Sequence, residues 1–157
     1  MLLKAMMMAA AAFVTLAPAT AKDSAAFTHI SCKGAPNEIR VTIENVKKSA
    51  GLLTAELYRN EPEHFLKKAG REFRVRYAAH APVTQFCLTA PSSGQFAVVA
   101  YHDENANLKF DKNTFGLPSE PYGVSQNPKI RLAPPPISEA LFDVSETGAV
   151  VEIRLKD

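Results

Sequence analysis

Eighteen basic and 16 acidic side chains in 157 residues leave this chain near neutrality, without the basic face that nucleic-acid binding requires. Its densest basic run, Lys67 and Lys68 followed by Arg71, Arg74 and Arg76, alternates in its second half with Phe73, Val75 and Tyr77. It therefore reads as the wet side of a strand, and the length suffices for one domain with a real core.

The first residues, MLLKAMMMAAAAFVTLAPATAKDS, place a cation at Lys4, then an apolar run, then Ala19-Thr20-Ala21. That order is a secretory signal peptide with cleavage after Ala21. The apolar run is shorter than the roughly 20 residues that span a bilayer. The expected product is one β-sandwich domain over residues 22–157, periplasmic or extracellular, with no transmembrane segment. In such a compartment the two cysteines, Cys32 and Cys87, are expected to form a disulfide.

Period-two alternation dominates the mature chain. In EIRVTIENV, Ile39, Val41 and Ile43 share one face, with Arg40, Thr42 and Glu44 on the other, the pattern of a half-buried strand. LLTAELYR follows a polar turn and is expected to complete a hairpin with it. NEPEHFLKKAG reads as one short helix, with Pro62 early, Lys67 and Lys68 late and Gly70 at the end. Phe65 and Leu66 would then cap the end of the sandwich. EFRVRYA and VTQFCLT are further strands. GQFAVVAYH is apolar almost throughout, as a central strand covered on both faces would be. After a long irregular stretch from Asp103 to about Glu139, broken at most by KIRL (129–132), ALFDV and AVVEIRL close the chain around a turn near Gly148. Seven strand candidates separated by turns predict an all-β sandwich, and the irregular stretch, with six prolines, predicts a long ordered loop.

HDENANLKFD, at the start of that loop, carries the most suggestive chemistry. Asp103, Asn105, Asn107 and Asp111 alternate as the oxygen ligands of a calcium loop do. Leu108 stands where the sharp turn usually takes Gly, and Thr114 where a bidentate Glu belongs, so any calcium binding is expected in the millimolar range. The same composition makes a good Asx-type turn, and that reading leads. A catalytic reading would need His102 to meet Tyr122 or Glu120 across the loop. His29, His64 and His80 lack metal-ligand spacing, and no nucleophile elbow, phosphate loop or metalloprotease helix occurs. No catalytic residue is assigned on these grounds.

GQFAVVAYHDENANLKFD, FGLPSEPYGVSQNP and PPPISEALFDV together resemble the bacterial family known as domain of unknown function 2141. Gly94, Phe96, His102 to Asn105, Asn107, Asp111, Gly116, Pro118, Tyr122, Gly123, Ala140 and Phe142 carry the likeness. The resemblance implies an exported sandwich of immunoglobulin-like or transthyretin-like kind, with no established activity. Ala106 and Leu108 replace two glycines of that pattern, and Pro121 replaces a third.

The expected function is therefore that of a non-enzymatic binding or accessory module. No cofactor is expected except weakly bound calcium, and the partner is an envelope protein or extracellular ligand of unassigned identity. The interaction surface is expected over Asp103 to Asn127, with His102, Asp103, Asn105, Asn107, Asp111 and Tyr122 as the candidate functional loop. The alternative is a calcium-stabilised structural module using residues 103–111.

Overall fold

A computed structural model describes residues 31–129 and 133–157. The expected signal peptide, and Ile130 to Leu132 of the KIRL candidate, lie outside the described residues. Eight strands form two sheets: β1 Glu38–Glu44, β2 Leu52–Arg59, β3 Arg71–Ala78, β4 Val83–Thr89, β5 Gly94–Asp103, β6 Tyr122–Val124, β7 Phe142–Val144 and β8 Ala149–Arg154. The smaller sheet has the order β4-β1-β8, with β1 antiparallel to β4 and parallel to β8. The larger runs β3-β2-β5-β6, and β7 pairs with the other end of β5. Among the described residues no helix is long and apolar enough to cross a membrane.

The two sheets pack face to face because alternate residues of each are apolar. Ile39, Val41 and Ile43 of β1 meet Leu53, Ala55 and Leu57 of β2, Phe96, Val98 and Ala100 of β5, and Val151 and Ile153 of β8 in one core. Burying each large aliphatic side chain there stabilises the fold by about 1.5–3 kcal/mol. Tyr77 stacks on Phe86 at 4.4 Å between centroids and donates its hydroxyl to the Cys87 carbonyl at 3.3 Å. Beside it, Cys32 and Cys87 form the expected disulfide.

β5 is central and buried from Phe96 to Asp103. Its second face is covered by a smaller apolar cluster that joins Tyr58, Ala97, Val99, Val124, Ile137 and Ala140, with Phe65 and Leu141 against it. The loop region thus lies along the outer face of the larger sheet.

Three expectations are corrected. β1 and β2 do not form a hairpin, because they belong to different sheets. The chain between them buries Val46, whose N–H bonds the Pro82 carbonyl at 3.1 Å, and Asn45, at φ 64°, reaches the Leu155 carbonyl at 2.8 Å. These contacts carry the chain across the sandwich. Gly51, at φ 73°, ends the crossing where any Cβ would overlap the Asp103 carbonyl. The hairpin is instead β2–β3.

The helix over residues 60–70 is also absent. Turns lead to a three-residue 3-10 turn, Lys68–Gly70, because Leu66 takes φ 62° and Lys67 is extended. The gain is contact of Phe65 with Tyr58, ring centroids 5.4 Å apart and edge-on. Phe65 therefore covers the outer face of the larger sheet instead of the end of the sandwich.

Finally, among the described residues there are eight strands where seven were expected, since β6 lies inside the stretch expected to be loop. Its middle residue, Gly123, lies so close to β8 that a Cβ would press on the Ile153 side chain and the Arg154 carbonyl.

Candidate functional site

The turn after β5 brings together all four residues of the expected cation set. The Asp103 carboxylate, fully buried, accepts N–H bonds from Asn107 at 3.0 Å and Leu108 at 2.7 Å. Asn105 Oδ1 accepts from the Asn107 N–H at 2.9 Å, and Asn107 Oδ1 from the Lys109 N–H at 2.8 Å. The amide groups of both asparagines donate to Asp111 Oδ2, at 2.8 and 2.7 Å. The bonds accepted by Asn105 Oδ1 and Asn107 Oδ1, each from the N–H two residues on, are of the kind Asx residues use to close a turn. Ala106 and Leu108 adopt φ 56° and 67°, the left-handed conformation that the resembled pattern meets with glycine. The two N–H groups gripped by Asp103 offset the cost of that strain.

The fold adds a residue to this corner. Glu120 is 6% exposed, and its Oε2 accepts the Asp111 N–H at 3.0 Å while its Oε1 has no partner. Burial, with the Asp103 and Asp111 charges nearby, pushes the Glu120 carboxyl up.

His102 and Tyr122 do not meet. Tyr122 pairs with Tyr101 across the strands and shares its outer face. His102, the next residue along β5, points inward and is fully buried. Its Nε2 donates to the Ala50 carbonyl at 2.7 Å, so the ring serves as a strut between the β5 end and the β1–β2 crossing. Tyr122 instead packs edge-on against Phe110, which lies against Tyr101 at 4.9 Å.

A cavity of about 560 Å³ lies on the outer face of the larger sheet. Its floor comes from β2, β3, β5 and β6. Its far wall is the Phe110 to Pro118 segment of the loop, and Ala133 to Pro135 close the side. Along the floor Glu56 holds a polar cluster. Its Oε1 accepts from Arg71 Nη1 at 2.7 Å and Arg74 Nε at 2.6 Å, and its Oε2 from the Tyr58 hydroxyl at 2.5 Å. Burial alone would raise the Glu56 carboxyl, but the Tyr58 bond and the two arginines outweigh it and hold the group low. Burial and the adjacent carboxylate push the Tyr58 hydroxyl far up. Next to this cluster the Tyr101 hydroxyl, in a residue 4% exposed, has no hydrogen-bond partner among the described residues.

Sequence reasoning missed this cavity. It took Arg74 and Arg76 for a solvated face: Arg74 is exposed there and also bonds Glu56, whereas Arg76 is half-buried with Nη2 on the Leu108 carbonyl at 3.3 Å. The available signal was Glu56 and Tyr58 at alternate positions of an otherwise apolar strand, opposite arginines on the next one. Elsewhere among the described residues, Cys32, Glu38 and Cys87 form a cluster of metal-ligating types. Its sulfurs are bonded to each other, and Glu38 accepts the Lys33 and Gly34 N–H groups.

No curated protein and no solved structure matches the chain. A family model does match, over residues 41–152 of the 157, and the match spans both sheets and the whole loop. The chain belongs to the bacterial family described as "Uncharacterized protein conserved in bacteria (DUF2141)".

Proposed function

We propose that the protein is an exported, non-enzymatic binding module that takes a small molecule into the outer-face cavity. The scaffold in this reading is an immunoglobulin-like or transthyretin-like sandwich, working in the periplasm or outside the cell. The observation that carries it is the cavity of about 560 Å³, large enough for a ligand, whose apolar lining surrounds the Glu56–Arg71–Arg74 cluster. The loop from Asp103 onward acts in this reading as the cavity's wall, held at one end by the Asx turn and at the other by β6.

Native mass spectrometry of the mature chain purified from its producing cell tests the reading. A small-molecule adduct is expected, absent from Val99→Trp, which fills the floor while circular dichroism stays unchanged. A chain that carries no adduct and takes none up overturns it.

A second reading keeps calcium as a stabiliser of the same wall, held by Asp103, Asn105, Asn107 and Asp111, with Glu120 now added. The unpartnered Glu120 Oε1 beside two carboxylates favours it. A melting curve in about 5 mM calcium, the millimolar regime of extracellular modules, should then rise relative to chelator. Coincident curves exclude this role.

A further inference from the structure

We propose that the cavity selects an amphipathic anion, with a carboxylate or phosphate monoester at the Arg71–Arg74 end and an apolar body along Tyr101 and Val99. The inference rests on the binding reading above and names the ligand class for the same site.

Charge is the first argument. Four cations, Lys68, Arg71, Arg74 and Lys112, line the cavity against the single carboxylate of Glu56. That carboxylate is already taken up by Arg71, Arg74 and Tyr58. A guanidinium offers five N–H donors, and Glu56 claims only a minority of those on the two arginines. One negative charge between two guanidiniums leaves a surplus that a second anion would neutralise, in the bidentate geometry arginine favours. Among the described residues, neither Lys68 nor Lys112 has a carboxylate within 4.0 Å.

The rest of the lining is the second argument. Val99, Tyr101, Phe110 and Val124 make an apolar floor and wall. Leu66 and Leu117 at the lip are 40% and 45% exposed, a cost that an apolar ligand body would lower. A small inorganic anion would leave this surface wet, and a neutral amphiphile would leave the cationic end desolvated without compensation. Only a molecule with both parts satisfies both ends.

Titration of the mature protein with decanoate, decyl phosphate, decanol and inorganic phosphate, followed by calorimetry, tests the proposal. The two decyl anions should bind, decanol about tenfold more weakly or worse, and inorganic phosphate not detectably. Decanoate against decyl phosphate distinguishes a fatty-acid-like headgroup from a phospholipid-like one. The double substitution Lys68→Glu/Lys112→Glu, at exposed positions, should weaken both decyl anions about tenfold and leave decanol within about twofold. Its melting curve checks that the fold is retained. Decanol binding as tightly as decanoate overturns the proposal, as does phosphate binding as tightly as its decyl ester, or indifference of the anions to the double substitution. If no probe binds while the purified chain carries an adduct that Val99→Trp removes, the ligand class falls and the binding reading stands. If both experiments are negative, both fall.

Discussion

The two faces of the larger sheet use alternate residues of the same strands and are buried by different means. Leu53, Ala55 and Leu57 of β2 point inward and meet only apolar side chains of the facing sheet. Thr54, Glu56 and Tyr58 point outward and are equally inaccessible, yet their cover is a polar network, a loop and a cavity. The inner face has no unfilled purpose: its side chains hold the sandwich together. Among the described residues the inner face carries one buried polar atom without a partner, His102 Nδ1 at the end of β5, whereas the outer face carries three, at Thr54, Tyr101 and Arg76, beside a cavity. Burial alone does not distinguish a core from a site, and what the buried groups are bonded to does.

Substitutions on neighbouring residues of β2 sharpen this contrast. Leu57→Ala, at a fully buried position, should cost about 2–5 kcal/mol, read as a lower denaturation midpoint with no change in its dependence on pH. Glu56→Gln should cost less, about 1–3 kcal/mol, and should change the pH dependence. The native carboxyl titrates below its ordinary value, so its stabilisation is full above the ordinary carboxylate range and is lost as pH falls through the lowered native value. The wild type should lose this contribution in acid and the variant should not. Equal acid profiles would remove the distinction between the faces.

Two smaller effects probe the loop that walls the cavity. Leu108→Gly should stabilise the protein by about 0.5 to 1 kcal/mol, since φ 67° suits glycine. A loss instead would mean that the half-exposed Leu108 side chain contributes more than its strain costs. Glu120→Gln should raise the melting temperature at neutral pH by less than that. Glu120 has a raised native pKa, so the folded state loses stability as pH climbs from the ordinary carboxylate range through the raised value. Glutamine keeps an acceptor for the Asp111 N–H and carries no charge. A drop in melting temperature at neutral pH would contradict that assignment and point to a need for the ionised carboxylate.

Strand alternation made much of this architecture legible from sequence. Ile39, Val41 and Ile43 face the core as their spacing requires, and the unbroken apolar run of β5 announced a strand covered twice. What alternation does not encode is which strand pairs with which. The β1–β2 crossing depends on Val46 and Asn45 reaching residues far along the chain, and no local pattern reports that. β6 escaped because three residues with a central glycine have no period to detect. The Asx turn was legible because its bonds are local, whereas Glu120 joins Asp103 and Asp111 only through the return of the loop. Glu56 and Arg74 were separately visible, but their ion pair requires the register of β2 against β3.

The parallel pairing of β1 with β8 also governs the order of assembly. Ile39 lies beside Ala149 and Glu44 beside Arg154, so the smaller sheet is closed by a strand far along the chain from β1. Until β8 is in place, one edge of β1 stays open. Contacts this distant along the chain make folding slow, and an unpaired strand edge in the interim invites pairing with other chains. The molecule is vulnerable until β8 docks on β1, and that strand acts as the closing stave of the fold.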